Sequence, residues 1–97
     1  MKIAVVGAAG RMGQMLVRRI AATEGVSLAA ASEQPGSAAL GRDAGEVAGL
    51  DACGVKIVGD SAAAIAAANV VIDFTIPEAT VAHARVAAEK GVSMVIG

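Results

Sequence analysis

Apolar positions along this chain switch repeatedly between a strand period and a helix period. Lys2 to Val6 is a short β-branched run that stops at glycines, and it predicts a strand. From Arg11 to about Thr23 the spacing is helical, with Met12, Leu16 and Ile20 on one face and Gly25 closing the helix. Val26 to Ala31 is a second apolar run, short enough to be read as a strand. Two strands joined by a helix imply a parallel, right-handed crossover.

Between Glu33 and Gly54 the periodicity fades, and glycines recur at positions 36, 41, 45 and 49 after Pro35. This predicts an extended surface segment with a helical turn around Asp43 to Val47. The alternation then resumes. Val55 to Val58 predicts a third strand, Ser61 an N-cap, and Ala62 to Ala68 an alanine-rich helix. Val70 to Phe74 predicts a fourth strand, and Pro77, after Thr75, falls in the first turn of a helix that Gly91 closes. Val92 to Ile96 predicts a fifth strand. The reading is an α/β fold with a doubly wound parallel sheet, its strands covered by helices on both faces. Because the chain stops at Gly97, beside the carboxyl edge of a strand expected to be buried, the expectation is a fold truncated after that fifth strand.

Composition narrows the picture. The 97 residues make residues 1–97 one domain at most, and with 56% hydrophobic but only 1% aromatic residues the core is built from Val, Ile, Leu, Met and many Ala. Eight basic residues against nine acidic ones give a net charge of -1, which provides no general attraction for nucleic acid or anionic membrane, so any anion site is local. The apolar runs fall short of a membrane span, and the expected location is cytoplasmic. Cys53 is the single cysteine and His83 the single histidine. Neither a disulfide framework nor a metal site is expected, and Cys53 reads as a small loop residue.

The local anion site is Gly7-Ala8-Ala9-Gly10-Arg11-Met12-Gly13, between the first strand and the first helix. A helix N-terminus there favours phosphate. Gly7 makes the sharp turn, Gly10 lets the backbone approach a pyrophosphate, and Gly13 lets the helix lie close to the strand. The spacing G-x-x-G-x-x-G departs from the commoner G-x-G-x-x-G. Its context supplies the missing specificity: Glu33 follows the second strand, about 20 residues on, where an acid accepts hydrogen bonds from the adenosine ribose. The alternative is that the glycines serve packing and Glu33 is a solvated charge. On the dinucleotide reading, a carboxylate at Glu33 with Gln34 as its neighbour disfavours a 2′-phosphate, so NADH is expected to bind at least as well as NADPH. Arg11 is either a phosphate-side cation or a solvated first-turn residue.

These motifs, together with Ser32-Glu33, Asp43-Ala44-Gly45-Glu46 and Asp73-Phe74-Thr75-Ile76-Pro77-Glu78, resemble the dihydrodipicolinate reductases of the bacterial lysine and diaminopimelate pathway. The resemblance runs through Val95-Ile96-Gly97 and so covers the chain. It implies a Rossmann-type domain and hydride transfer from NADH or NADPH to the dihydrodipicolinate ring system, by an enzyme that is usually a homotetramer. By matching positions it implies that Gly7 to Met12 wrap the pyrophosphate and Glu33 the adenosine ribose, that Phe74 and Thr75 border the nicotinamide, and that Gly97 opens the next cofactor loop. The His-His-Arg-His segment and lysine that bind and protonate substrate in that family have no counterpart in these residues, so the chain alone is expected to be inactive and contributes no catalytic residue.

His83, mid-helix and opposite the Glu78, Arg85 and Glu89 stripe, reads as a structural histidine, packed or partly exposed. Asp73 reads as a lone carboxylate with no titratable partner, making a loop or helix-start hydrogen bond. Two rival readings remain at this point: another nicotinamide-dependent enzyme of amino-acid metabolism, of homoserine or aspartate-semialdehyde dehydrogenase type, and a noncatalytic nucleotide-binding module.

Overall fold

The computed structural model describes residues 1–73, 75 and 77–96; Phe74, Ile76 and Gly97 lie outside the described residues. The elements are β1 (Lys2–Val6), α1 (Arg11–Ala21), β2 (Ser27–Ser32), α2 (Ala44–Val47), β3 (Ile57–Val58), α3 (Ser61–Ala66), β4 (Val70–Asp73), α4 (Pro77–Lys90) and β5 (Ser93–Ile96). The strands form one five-stranded parallel sheet in the order β3-β2-β1-β4-β5. That order places β1 at the centre and reverses the direction of winding between β1 and β4, as the doubly wound reading expects.

The period of two in β1 sorts the core into two layers. Ile3 and Val5 pack on one face with Val17 and Ile20 of α1 and Ala44 of α2. Ala4 and Val6 pack on the other face with Ile65 of α3 and Ala87 of α4. Fully burying a valine such as Val5 or Val6 contributes roughly 1.5–3 kcal/mol of transfer free energy.

Several boundaries differ from the sequence expectation for identifiable reasons. The inward face of α1 is Gly13, Val17 and Ile20, with Leu16 half-buried, whereas Met12 is 49% exposed. The 13-17-20 stripe follows the same helical period, shifted by one residue because the glycine must sit against the strand. Asp60, not Ser61, caps α3, its carboxylate accepting from Ala63 N at 3.1 Å. The third strand shrinks to two residues, since Val55 O accepts from Ala44 N and Lys56 bridges to Asp43 instead. The fifth strand is not buried on both faces: Val95 is 52% and Ile96 61% exposed at the open edge of the sheet.

The segment from Glu33 to Gly54 is folded rather than extended. Its Ala39, Ala44 and Ala48 enter the core beside α1. Single alanines spaced among glycines carry no legible period, and for that reason the pattern fades while burial does not. Asp43 organises the segment. Its Oδ1 accepts from Gly45 N at 2.8 Å, Glu46 N at 3.2 Å and Cys53 N at 3.0 Å, and its Oδ2 from Gly54 N at 2.8 Å. The amides of Cys53, Gly54 and Glu46, Cys53 foremost, hold the Asp43 carboxyl down at about 2. Gly45 is needed here because a Cβ would lie 2.5 Å from Asp51 O. Cys53 is exposed and free.

Candidate nucleotide site

The site lies at the carboxyl edge of the sheet, where the chain leaves β1 and β4 for helices on opposite faces. Gly7 leaves β1 at a φ of 87°, a left-handed conformation that favours glycine. The turn is braced from β2: Ser32 O accepts from both Gly7 N at 2.9 Å and Ala8 N at 3.1 Å. Glu33 Oε2 accepts from Ala9 N at 3.0 Å, and Gly10 N donates to Gly7 O at 3.2 Å. Gln14 Nε2 closes the loop from α1 by donating to Ala9 O at 2.7 Å.

The three glycines therefore do different things. A Cβ at Gly13 would lie 2.2 Å from Gly7 O and 2.8 Å from Ala8 Cα, so the helix seats directly on the turn. A Cβ at Gly10 would meet only Gly7 O, at an ordinary 3.5 Å. Internal packing thus leaves Gly10 free, and its missing Cβ opens space toward the crevice. Gly10 is the N-cap of α1 and provides no side-chain cap, and the first turn carries no acidic side chain. The amides of Gly7 to Gly10 are committed within the protein, which leaves the first-turn amides of Arg11 and Met12 for an anion. Arg11 and Met12 are both exposed. The residues present fit a pyrophosphate: open space where a Cβ at residue 10 would stand, beside a helix N-terminus without a side-chain cap.

Glu33 is half-buried and already engaged, with Oε1 accepting from Gln34 N at 3.1 Å. Each carboxylate oxygen keeps acceptor capacity beyond that one bond. Gln34 is exposed.

Across the crevice, Val6 pairs in register with Asp73, so the segment after β4 stands beside the glycine turn. Asp73 is fully buried. Its Oδ1 accepts from Thr75 N at 2.7 Å and also from Thr75 Oγ1 in a short contact. Its Oδ2 lies 2.6 Å from His83 Nδ1 on α4. The loop hydrogen bond expected of Asp73 is present, but the carboxylate is not alone. His83 belongs to an inward stripe with Thr80, Ala84 and Ala87, and its side chain is 13% exposed. Ten residues of separation across a loop and a helix start give this pair no sequence period. Thr75 is half-buried, while Phe74 and Gly97 fall outside the described residues.

Two clefts lie away from this edge. One, of about 270 Å³, is lined by Val17, Ile20, Leu28, Leu50 and Cys53, and the other, of about 440 Å³, lies between β2, β3 and α3. Among the described residues no cluster of His, Cys, Asp and Glu suits a metal ion, and no helix is long and apolar enough to cross a membrane.

A parallel sheet wound in both directions from its central strand, with a glycine turn feeding an uncapped helix at the switch point, defines the Rossmann-type class of α/β folds. Within that class the chain belongs to the family described as dihydrodipicolinate reductase, N-terminus, whose model matches residues 1–97. It is 56% identical over 97 residues to a 4-hydroxy-tetrahydrodipicolinate reductase of Cupriavidus pinatubonensis and 52% identical over 96 residues to one of Anaeromyxobacter dehalogenans. The match takes in 100% and 99% of this chain, but it spans only 36% of the length of each relative. The fold is shared with an amine dehydrogenase from Mycobacterium smegmatis, at a TM-score of 0.85 and 24% identity over 99% of this chain and 29% of that one. It is shared also with a UDP-N-acetylglucosamine 3-dehydrogenase from Acidithiobacillus ferrooxidans, at a TM-score of 0.71 and 26% identity over 99% of this chain and 28% of that one.

Proposed function

We propose that residues 1–97 are the cofactor-binding domain of a 4-hydroxy-tetrahydrodipicolinate reductase, which reduces the dihydrodipicolinate ring system to tetrahydrodipicolinate in lysine and diaminopimelate synthesis. The observation that carries this reading is the turn itself: a braced Gly7–Gly10 loop, open at Gly10, feeding the uncapped start of α1 beside Glu33. Family membership over the whole chain supports the particular reaction.

A bound reduced nicotinamide supplies the hydride. This chain binds and orients it. The amides of Arg11 and Met12 take the pyrophosphate oxygens, with the Arg11 side chain adding positive charge. Gly7, Ala8 and Ala9 hold the turn in shape, and Gly10 leaves room for the phosphates. Glu33 accepts from the adenosine ribose hydroxyls. With the strands in the order β2-β1-β4, Glu33 after β2 would hold the adenosine ribose, the turn after β1 the pyrophosphate, and Phe74 and Thr75 after β4 the nicotinamide. Gly97 continues the site. The groups that bind and protonate substrate belong to a second domain of the parent enzyme, a cytoplasmic homotetramer that binds neither nucleic acid nor membrane, so the chain alone turns nothing over.

NADH binds at least as well as NADPH, because the Glu33 carboxylate repels a 2′-phosphate and the exposed Gln34 offers it no cation. Calorimetric titration of the folded chain with each nucleotide tests both statements. No binding of either at millimolar concentration would overturn the domain assignment, and a marked preference for NADPH would overturn the specificity argument alone.

A further inference from the structure

The geometry points to His83 as a positioning residue for the nicotinamide half of the site, acting through Asp73 on the segment that carries Thr75. This rests on the cofactor reading above. Three observations converge on it.

The Asp73 carboxylate is split between two tasks. Oδ1 takes both hydrogen-bond donors of Thr75, backbone and hydroxyl, while Oδ2 takes the imidazole of His83 at 2.6 Å. An ionised carboxylate only accepts, so the bond to Oδ2 requires Nδ1 of His83 to carry the proton. The carboxylate is fully buried, so without the imidazole Oδ2 would have no partner among the described residues; the group's lowest-cost response is to rotate or to draw in solvent. Either response loosens Thr75, whose hydroxyl keeps a 3.4 Å contact with Thr80 Oγ1.

The register then gives the consequence. Asp73 pairs with Val6, the residue before Gly7, so the end of β4 stands beside the glycine turn and a shift there reaches the crevice. The turn after β1 is independent of it, since its braces come from Ser32 and Glu33 on the opposite side. His83 itself stays outside the crevice, on the sheet-facing stripe of α4 with Thr80 and Ala87. It contacts neither the reacting atoms nor the cofactor, and its role is exerted through one carboxylate.

Two ligands separate this role from general structural support. ADP-ribose carries the adenosine, pyrophosphate and a ribose but no nicotinamide; NADH carries all of it. Binding of both is measured for the wild-type chain and for His83→Asn and His83→Gln, with folding checked by circular dichroism. An Asn amide reaches the place of Nδ1, and a Gln amide that of Nε2. The expected result is that His83→Gln weakens NADH about tenfold relative to ADP-ribose, that His83→Asn restores most of the loss, and that ADP-ribose changes less than twofold throughout. Equal weakening of both ligands, or no change in either, would overturn the positioning role while leaving the cofactor site standing. Failure of the wild type to bind either ligand would overturn the cofactor reading, and this inference with it.

Discussion

The two strands that flank the crevice deliver their loops by different physics. After β1 the turn is held mainly by backbone: carbonyls of Ser32 and Gly7 accept the amides of Gly7, Ala8 and Gly10, a helix sits on the turn through the bare Cα of Gly13, and the side chains of Glu33 and Gln14 add one bond each at Ala9. After β4, Thr75 is held through a side chain, with one buried carboxylate tying it to His83. A backbone-held loop tolerates any side chain that points outward and fails only where an added atom would collide. A loop held by side chains depends on a few polar atoms, each of which is costly to leave unpaired.

That contrast can be broken at its extremes. Gly13→Ala is expected to be the most damaging single change. Its Cβ would stand 2.2 Å from Gly7 O, against main chain that has nowhere to move, and the cost is about 3 kcal/mol. A lowered urea midpoint at unchanged slope checks it. Asp73→Ala on the other side removes the acceptor for three hydrogen bonds but leaves His83 and Thr75 partly accessible to water, so the expected loss is smaller, about 2 kcal/mol. If the two changes were equally harmful, the distinction between steric and polar support would fail.

Asp43 offers a third case, a carboxylate that organises a loop far from the crevice. Its folded value of about 2 lies below the ordinary 3.8, so its contribution to stability is fully present above about pH 4 and is lost as pH falls through about 2. The stability difference between wild type and Asp43→Ala should therefore be flat near neutrality and shrink over that acid interval. Loss of hydrogen-exchange protection at Cys53 and Gly54 in the variant gives a local check. Gly10→Ala should be the mildest change for the fold. Its new Cβ meets only Gly7 O at 3.5 Å, so stability changes by about 0.5 kcal/mol or less. The same methyl group fills the space assigned to the pyrophosphate, and nucleotide binding is expected to fall roughly tenfold or more, equivalent to about 1.4 kcal/mol. A variant that melts like wild type and binds like wild type would remove Gly10 from the site.

Legibility followed the kind of signal each feature leaves. The five strands and the main helices announced themselves through period, and the glycine turn through spacing and the acid that follows the second strand. What escaped were features that depend on single small or polar residues. Ala39, Ala44 and Ala48 enter the core without a period because each is flanked by glycines or loop residues. Met12 and Val17 are both apolar on α1, and only the need to seat Gly13 against the turn decides which of them points inward. Asp60 and Ser61 are both good caps, and the choice between them is made by where the backbone turns helical. The Asp73–His83 pair was missed for a stronger reason: its partners sit on different elements, and nothing in a linear pattern says that a histidine on the inner face of one helix reaches the last residue of the preceding strand.

The central position of β1 also sets an order of events during synthesis. The crevice needs β1, β2 and β4 together, and β1 is tied to the start of β4 across a span of 67 residues, where Lys2 N donates to the side chain of Asn69. At roughly 5–20 residues per second, several seconds separate the emergence of the glycine turn from that of the strand forming the other wall. The first strand-helix-strand unit therefore emerges from the ribosome as half of the proposed site. A nucleotide able to bind only the finished crevice would stabilise the completed sheet by mass action and leave the partial one unaided.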